Sequence, residues 1–416
     1  MRYFKKGIKE KIGNERLKKR LSKYFFFLIV LLLIFNIRGK VSSPVIFSLL
    51  LTTVWGIDSL LGSKKLKEER KNLDNHKKIA LMENSVTTEI KKDKLSHWIM
   101  KKEAEKNFKI LQLTDIHIGN GPLSLEGDRN ALKAVQKLMY HVKPDLVIVT
   151  GDMVYPVLFT TGSADNLTGS KRLAQLMESF KTPWTVTFGN HDEEFYSWYP
   201  LEKVAEVYEN SSHCLFQRGP SNISGLSNHI INILNPDDSL NTSLVMLHTN
   251  SYINPILITH YDHVHKDQVR WYEEELNAVS KLYGVSEIAN SLAFFHIPVN
   301  EFIAAWDLFE NDKNDPEIIY HFGNKTEKIS APLFQSPLFP KMLELGSTKG
   351  VFVGHDHFND FSITYKGIRL TYGKSIDYIA YPNKSSRLNW QRGGTIIEID
   401  EKGDFSVNQI LLDDIS

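Results

Sequence analysis

Four short polar clusters follow apolar runs in a fixed order along this 416-residue chain: Thr114-Asp115-Ile116-His117, Gly151-Asp152, Gly189-Asn190-His191-Asp192 and Gly354-His355-Asp356-His357. Asp, Asn and His are common in turns after strands, where their side chains bond nearby backbone, so no single cluster is informative alone. Order and setting make the constraint. Phe108 to Thr114 (FKILQLT), Leu146 to Thr150 (LVIVT), Thr185 to Phe188 (TVTF) and Gly350 to Gly354 (GVFVG) have strand length, and a fifth run, Leu292 to Phe295 (LAFF), leads into His296. A period of two along an extended chain puts Asp115 with His117, and His355 with His357, on one side. Gly151 permits a sharp turn that a residue with a Cβ resists, which lets Asp152 point back over the strand ends. Seven ligand-type side chains are therefore expected on one edge of a sheet. If the strands are parallel, that edge is the carboxyl end, where open α/β sheets carry their sites.

The donors are oxygen and nitrogen without thiolate, which suits Fe, Mn or Zn. Asp152 has two carboxylate oxygens and can bridge two cations, the amide oxygen of Asn190 is a neutral ligand, and the His191 imidazole is left free to act as an acid. A denser group, His260, His263 and His265 in Thr-His-Tyr-Asp-His-Val-His, reads as a polar loop and helix entry, because no strand end presents it.

Taken in order, D-x-H, G-D, G-N-H-D, a lone His and G-H-x-H resemble the motifs of the calcineurin-like metallophosphoesterases, over roughly Phe108 to Asp400. The phrases LQLTDIHIGNG, FFHIPVNEF and GVFVGHDHFNDF are similar to the purple-acid-phosphatase-like branch of fungi and plants, which includes type II membrane members. This resemblance implies two metal ions, one held by Asp115, His117, Asp152 and His357, the other by Asp152, Asn190, His296 and His355. It implies His191 as the catalytic acid, with Asp192 either holding the His191 ring or capping the helix that follows. The implied enzyme is a metal-dependent phosphatase that hydrolyses phosphomonoesters, small or on a phosphoprotein, through a metal-activated hydroxide. A phosphodiesterase or pyrophosphatase acting on nucleotides or lipids would share these ligands, and a non-catalytic phosphoprotein-binding scaffold would keep the same fold.

Two departures from related subfamilies matter. Asp152 is followed by Met153-Val154-Tyr155-Pro156 and not by the Asp-Arg-Gly of calcineurin-type phosphatases. Tyr155 stands where true purple acid phosphatases place a tyrosinate ligand, but those enzymes have Gly where this chain has His117, so Tyr155 is expected outside the ligand set.

The expected fold class is α/β, an αββα sandwich of two mixed β-sheets flanked by helices, occupying residues 108–416. Helical periodicity over Asp128 to Val142 and Lys266 to Tyr283 alternates with the strands, and Ile363 to Tyr365 and Ile368 to Tyr372, separated by Lys366-Gly367, read as an antiparallel pair. Ahead of this domain, residues 1–23 carry ten Lys or Arg against two Glu and read as a basic cytosolic tail. Residues 24–57 read as one or two hydrophobic membrane segments, and 58–107 as a charged linker or stalk. A single signal-anchor crossing would place the catalytic domain on the lumenal or extracellular side, whereas a hairpin over 24–57 would return it to the cytosol. Six Asn-x-Ser/Thr sequons are about as many as chance supplies, and the lone Cys214 allows no intrachain disulfide. With a total charge of +1 and a basic N-terminal quarter, residues 108–416 are net acidic, which gives no basic face for nucleic acid.

Overall fold

A computed structural model describes residues 90–254, 258–286, 288–381 and 392–415. The basic tail and the hydrophobic segments at 24–57 lie outside the described residues, and among those described no helix is long and apolar enough to cross a membrane. The described strands are β1 (Lys91–Lys92), β2 (Trp98–Lys101), β3 (Phe108–Leu113), β4 (Leu146–Thr150), β5 (Trp184–Thr187), β6 (His229–Leu234), β7 (Leu240–Met246) and β8 (Tyr252–Asn254). They continue with β9 (Ile258–Tyr261), β10 (Ser291–Phe294), β11 (Ile318–Phe322), β12 (Thr348–Val353), β13 (Ser362–Tyr365), β14 (Ile368–Tyr372), β15 (Gly393–Ile399) and β16 (Phe405–Leu411). The helices are α1 (Leu125–Val142), α2 (Leu158–Thr161), α3 (Asn166–Ser179), α4 (Leu201–Glu209), α5 (Lys266–Tyr283), α6 (Glu301–Asn311) and α7 (Leu338–Leu345).

Two large sheets result. The five-stranded sheet runs β16-β15-β3-β4-β5, with β3, β4 and β5 parallel and the two C-terminal strands antiparallel at one side. The nine-stranded sheet runs β1-β2-β6-β7-β10-β12-β14-β13-β11, with β7, β10, β12 and β14 parallel. Both are mixed, as the αββα reading requires. The anticipated pair β13 and β14 is antiparallel and turns through Lys366 and Gly367, whose positive φ values of 51° and 84° suit a two-residue hairpin.

Alternation along the strands builds three apolar layers. Phe108, Ile110 and Ile148 of the smaller sheet pack with Ile231, Leu244, Leu292, Phe294 and Phe352 of the larger one, forming the centre of the sandwich. Their sequence neighbours point the other way: Leu111, Val147 and Val149 meet Leu132, Val135 and Leu138 of α1 and Leu173 and Met177 of α3. Ala293 and Val351 meet Tyr272 and Leu276 of α5 and Phe302 of α6. Helix α1 begins one turn earlier than its apolar period shows, at Leu125, while α5 keeps the expected bounds and ends at Gly284 in the left-handed region.

One boundary differs from the sequence expectation. Within the segment read as charged linker, β2 pairs in parallel with β6 and β1 pairs with β2, so residues 91–101 belong to the larger sheet. The Lys-rich flanks mask a strand of only four residues, WIMK, in which Ile99 and Met100 are buried. Replacing Phe294, fully buried between the sheets, with Ala removes that ring from the central layer. The expected loss is about 3–5 kcal/mol of unfolding free energy, measurable by urea denaturation.

Candidate metal centre

All five site-bearing loops leave the carboxyl ends of parallel strands, but from two sheets and not one. Asp115 and His117 follow β3, Asp152 follows β4 and Asn190 follows β5 in the smaller sheet; His296 follows β10 and His355 and His357 follow β12 in the larger. A single edge was the simplest reading of the apolar runs, and no local pattern distinguishes strands of one sheet from those of two. The loops are stitched to each other. The Asp115 N–H donates to the Gly151 carbonyl (3.2 Å), the His117 N–H to the Asp152 carbonyl (3.0 Å), and the His355 N–H reaches across to Asp115 Oδ2 (3.2 Å).

The backbone pays for this convergence in conformation. Asp115, His117, Asp152 and His355 all have positive φ, between 51° and 76°. Such left-handed non-glycine positions cost about 1–3 kcal/mol each and persist only where the surroundings enforce them. Gly151, at φ 86°, lies so close to His296 that a Cβ would stand 2.5 Å from its Nδ1. The G-D motif thus needs glycine for both turn and contact.

Asp152 sits at the middle. Its Oδ1 accepts the His191 N–H (2.9 Å), and its Oδ2 lies 3.2 Å from both His117 Nε2 and His296 Nε2, one imidazole from each sheet. His296 donates Nδ1–H to the Thr150 carbonyl (2.8 Å). The Nδ1 atoms of His117 and His357 lie 3.2 and 3.3 Å from the two oxygens of Asp377. With Nδ1 of His117 and of His296 each engaged with an acceptor, a neutral ring at either position turns its Nε2 lone pair to Asp152 Oδ2, while His357 Nε2 lies 3.4 Å from Asp115 Oδ1 and its Nδ1 makes no hydrogen bond. Lone pair facing lone pair in a fully buried pocket is unfavourable without positive charge between them. Asn190 adds a further acceptor: its Nδ2 donates to the Tyr252 hydroxyl (3.0 Å), and its buried Oδ1 has no protein partner. The donor set therefore fits cations.

Shifts in proton affinity report the same demand. Burial acts to lower the pKa of His296, yet the charge and hydrogen bond of Asp152 outweigh it and lift the value to about 9. Burial acts to raise Asp152, but His296 and His191 hold its carboxylate well below the usual range. At this centre three overlapping groups have ligand atoms within 4.8 Å of one another: Asp115 with His117 and His357, His117 with Asp152 and His191, and Asp152 with His296 and His355.

Three residues that sequence reasoning passed over shape the site. Asp377, after β14, also accepts the N–H groups of Ile379 and Ala380 (2.8 Å each) and anchors His117 and His357 together. No motif marks it. Glu194 Oε1 lies 2.7 Å from His191 Nδ1, while Tyr252 donates its hydroxyl to the same oxygen (3.3 Å). Glu194 is three residues beyond His191, and that spacing in a turn is the signal that could have found it. Asp192 does not hold the His191 ring: its oxygens accept the N–H groups of Gly189 (2.8 Å), Asp152 (2.9 Å) and Val154 (3.1 Å), tying the loops after β4 and β5 together. Burial, with the Asp152 charge adding to it, lifts its pKa to about 7. Tyr155 stacks on the His117 ring at 4.7 Å and meets His191 edge-on at 4.6 Å, forming a wall of the site.

Comparison with known proteins decides the family. The profile of the calcineurin-like phosphoesterases matches residues 108–359, more than half of the chain. The chain belongs to the calcineurin-like phosphoesterase family. As a member it is a metal-dependent phosphoric-ester hydrolase by class, with a phosphate ester as substrate. Among its relatives are two Arabidopsis thaliana proteins, "Probable inactive purple acid phosphatase 14", 30% identical over 320 residues (70% of this chain, 75% of the plant protein), and "Probable inactive purple acid phosphatase 29", 28% identical over 318 residues (70% and 77%). "Phosphatase DCR2" of Saccharomyces cerevisiae is 28% identical over 291 residues, 65% of this chain and 48% of the yeast protein.

Removing the shared anchor should loosen the ligand set without unfolding the phosphoesterase. Asp377→Ala is expected to weaken metal binding about 10- to 100-fold, read by competition with a chromogenic chelator. An unchanged affinity would show that the two imidazoles keep their orientation unaided.

Proposed function

We propose that this phosphoesterase hydrolyses phosphomonoesters at a two-metal centre, with Asp115, His117, Asp152 and His357 holding one ion and Asp152, Asn190, His296 and His355 the other. The observation that carries this reading is Asp152 Oδ2 placed at 3.2 Å from an imidazole of each sheet, with further acceptors converging around it. Bound there, Fe, Mn or Zn supplies Lewis-acid polarisation of a phosphoryl oxygen and a nucleophile from water at neutral pH. The protein's own groups do the rest. Water adds to phosphorus as the ester P–O bond breaks, and the departing oxygen needs a proton. His191 is placed to give it: Nδ1 is held by Glu194, Tyr155 flanks the ring, and Nε2 is the nitrogen left for the leaving group. Tyr252 links the two parts, since its hydroxyl meets both Asn190 and Glu194.

The word "inactive" in the names of the two plant relatives favours a second reading, a non-catalytic fold, for which a scaffold that binds a phosphoprotein is the alternative. Retention here of every ligand type and of an oriented His191 supports turnover instead. His191→Ala is expected to lower kcat about 10²- to 10⁴-fold, more for an alkyl phosphate than for p-nitrophenyl phosphate, whose leaving group needs little help. Rates are to be measured with added Mn on p-nitrophenyl phosphate and on its bis-aryl diester. Preference for the diester would overturn the monoester assignment, and a wild type no faster than Asp152→Asn would favour the scaffold.

A further inference from the structure

Outside the metal centre, one group of side chains repeats its chemistry. Asp262, His263 and His265 occupy the connection from β9 to α5, and their ligand atoms lie within 4.8 Å of one another. The spacing by itself reads as a polar loop and helix entry, and His265 does stand just before α5. What the sequence could not show is how the two rings turn. His265 Nε2 lies 2.9 Å and His263 Nδ1 3.0 Å from a single oxygen, Asp262 Oδ1. The His263 nitrogen is buried and makes no hydrogen bond.

The far side of His265 fixes its tautomer. Ser224 donates its hydroxyl proton to Asp267 Oδ2 (2.9 Å), so its oxygen is left to accept from His265 Nδ1, 3.0 Å away. With the proton on Nδ1, a neutral His265 turns its Nε2 lone pair to Asp262 Oδ1, a contact that only a second ring proton or a cation makes favourable. This is the arrangement found around Asp152, at closer range, with a hydroxyl–carboxylate pair backing the imidazole as ligating histidines commonly require.

We propose that Asp262, His263 and His265 form a separate mononuclear metal site for a borderline divalent cation such as Zn²⁺, with water completing the coordination. Two imidazoles and one carboxylate disfavour Ca²⁺ and Mg²⁺, which take oxygen ligands. The place suggests a purpose. Tyr261, the residue before Asp262, packs its ring against His355 at 4.2 Å and faces Tyr252 at 5.7 Å, while the Asp262 N–H donates to the Ser251 carbonyl (3.0 Å). The Asn250 side-chain amide donates to the His263 carbonyl (2.9 Å). A cation here fastens the base of the β8–β9 hairpin, and through it the two tyrosines that contact His355, Asn190 and Glu194. Occupancy of this site thereby sets how firmly the hairpin lies against the catalytic residues.

The test uses the full chain, stripped with chelator, reloaded with Zn²⁺ alone, desalted and assayed for bound metal by mass spectrometry. His263→Ala/His265→Ala is expected to bind one zinc fewer per chain than wild type, and Asp262→Asn, which keeps size and hydrogen bonding, to weaken one zinc at least tenfold. The same loss is expected in an Asp152→Asn background, where the central pair is already impaired, so that failure of that pair and failure of this site read as separate differences. Equal zinc content and affinity in wild type, the double variant and Asp262→Asn, each folded by circular dichroism, would overturn the proposal.

Discussion

Buried acceptors facing buried acceptors set the terms for this protein. Asp115 and Asp152 are fully buried, and His117 and His296 have Nδ1 engaged elsewhere, so that in the neutral rings the remaining lone pairs point at Asp152, while His357 Nε2 lies against Asp115. Taking two carboxylates out of water in this way is tolerable only with compensating positive charge. Protons can supply some of it, as the raised affinities of His117 and His296 indicate, each favoured by the Asp152 carboxylate against the effect of burial. Cations supply it more completely and satisfy Asn190 Oδ1 as well.

The rest of the fold holds that arrangement against its own repulsion. Two sheets packed through Phe108, Phe294 and Phe352 fix where the strands end. Left-handed backbone at four candidate ligand positions then turns the side chains inward, and backbone N–H groups donating to the carboxylates of Asp192 and Asp377 lock the loops. Strain and burial are concentrated at one place, as expected of a functional site supported by a rigid frame.

Much of this was legible in the chain because the information is local. Strand length marks β3, β4, β10 and β12, a period of two pairs Asp115 with His117 and His355 with His357, glycine precedes Asp152 and His355, and the α5 period gives its bounds. Other features depend on long-range contact. Asp377 meets His117 across 260 positions, and nothing near it in sequence reveals that meeting. The short strand at 98–101 is read as linker because charged neighbours outweigh four residues of pattern, and its identity comes from pairing with β6. Likewise, Thr-His-Tyr-Asp-His-Val-His shows its donors but not the Ser224–Asp267 pair that orients one of them.

The central claim is that Asp152 joins two cations. Stripped protein reloaded with Mn²⁺ and examined by electron paramagnetic resonance tests it directly. A pair bridged through Asp152 gives an exchange-coupled spectrum that collapses to isolated ions in Asp152→Asn. A wild-type spectrum of isolated Mn²⁺ at full loading would contradict the account.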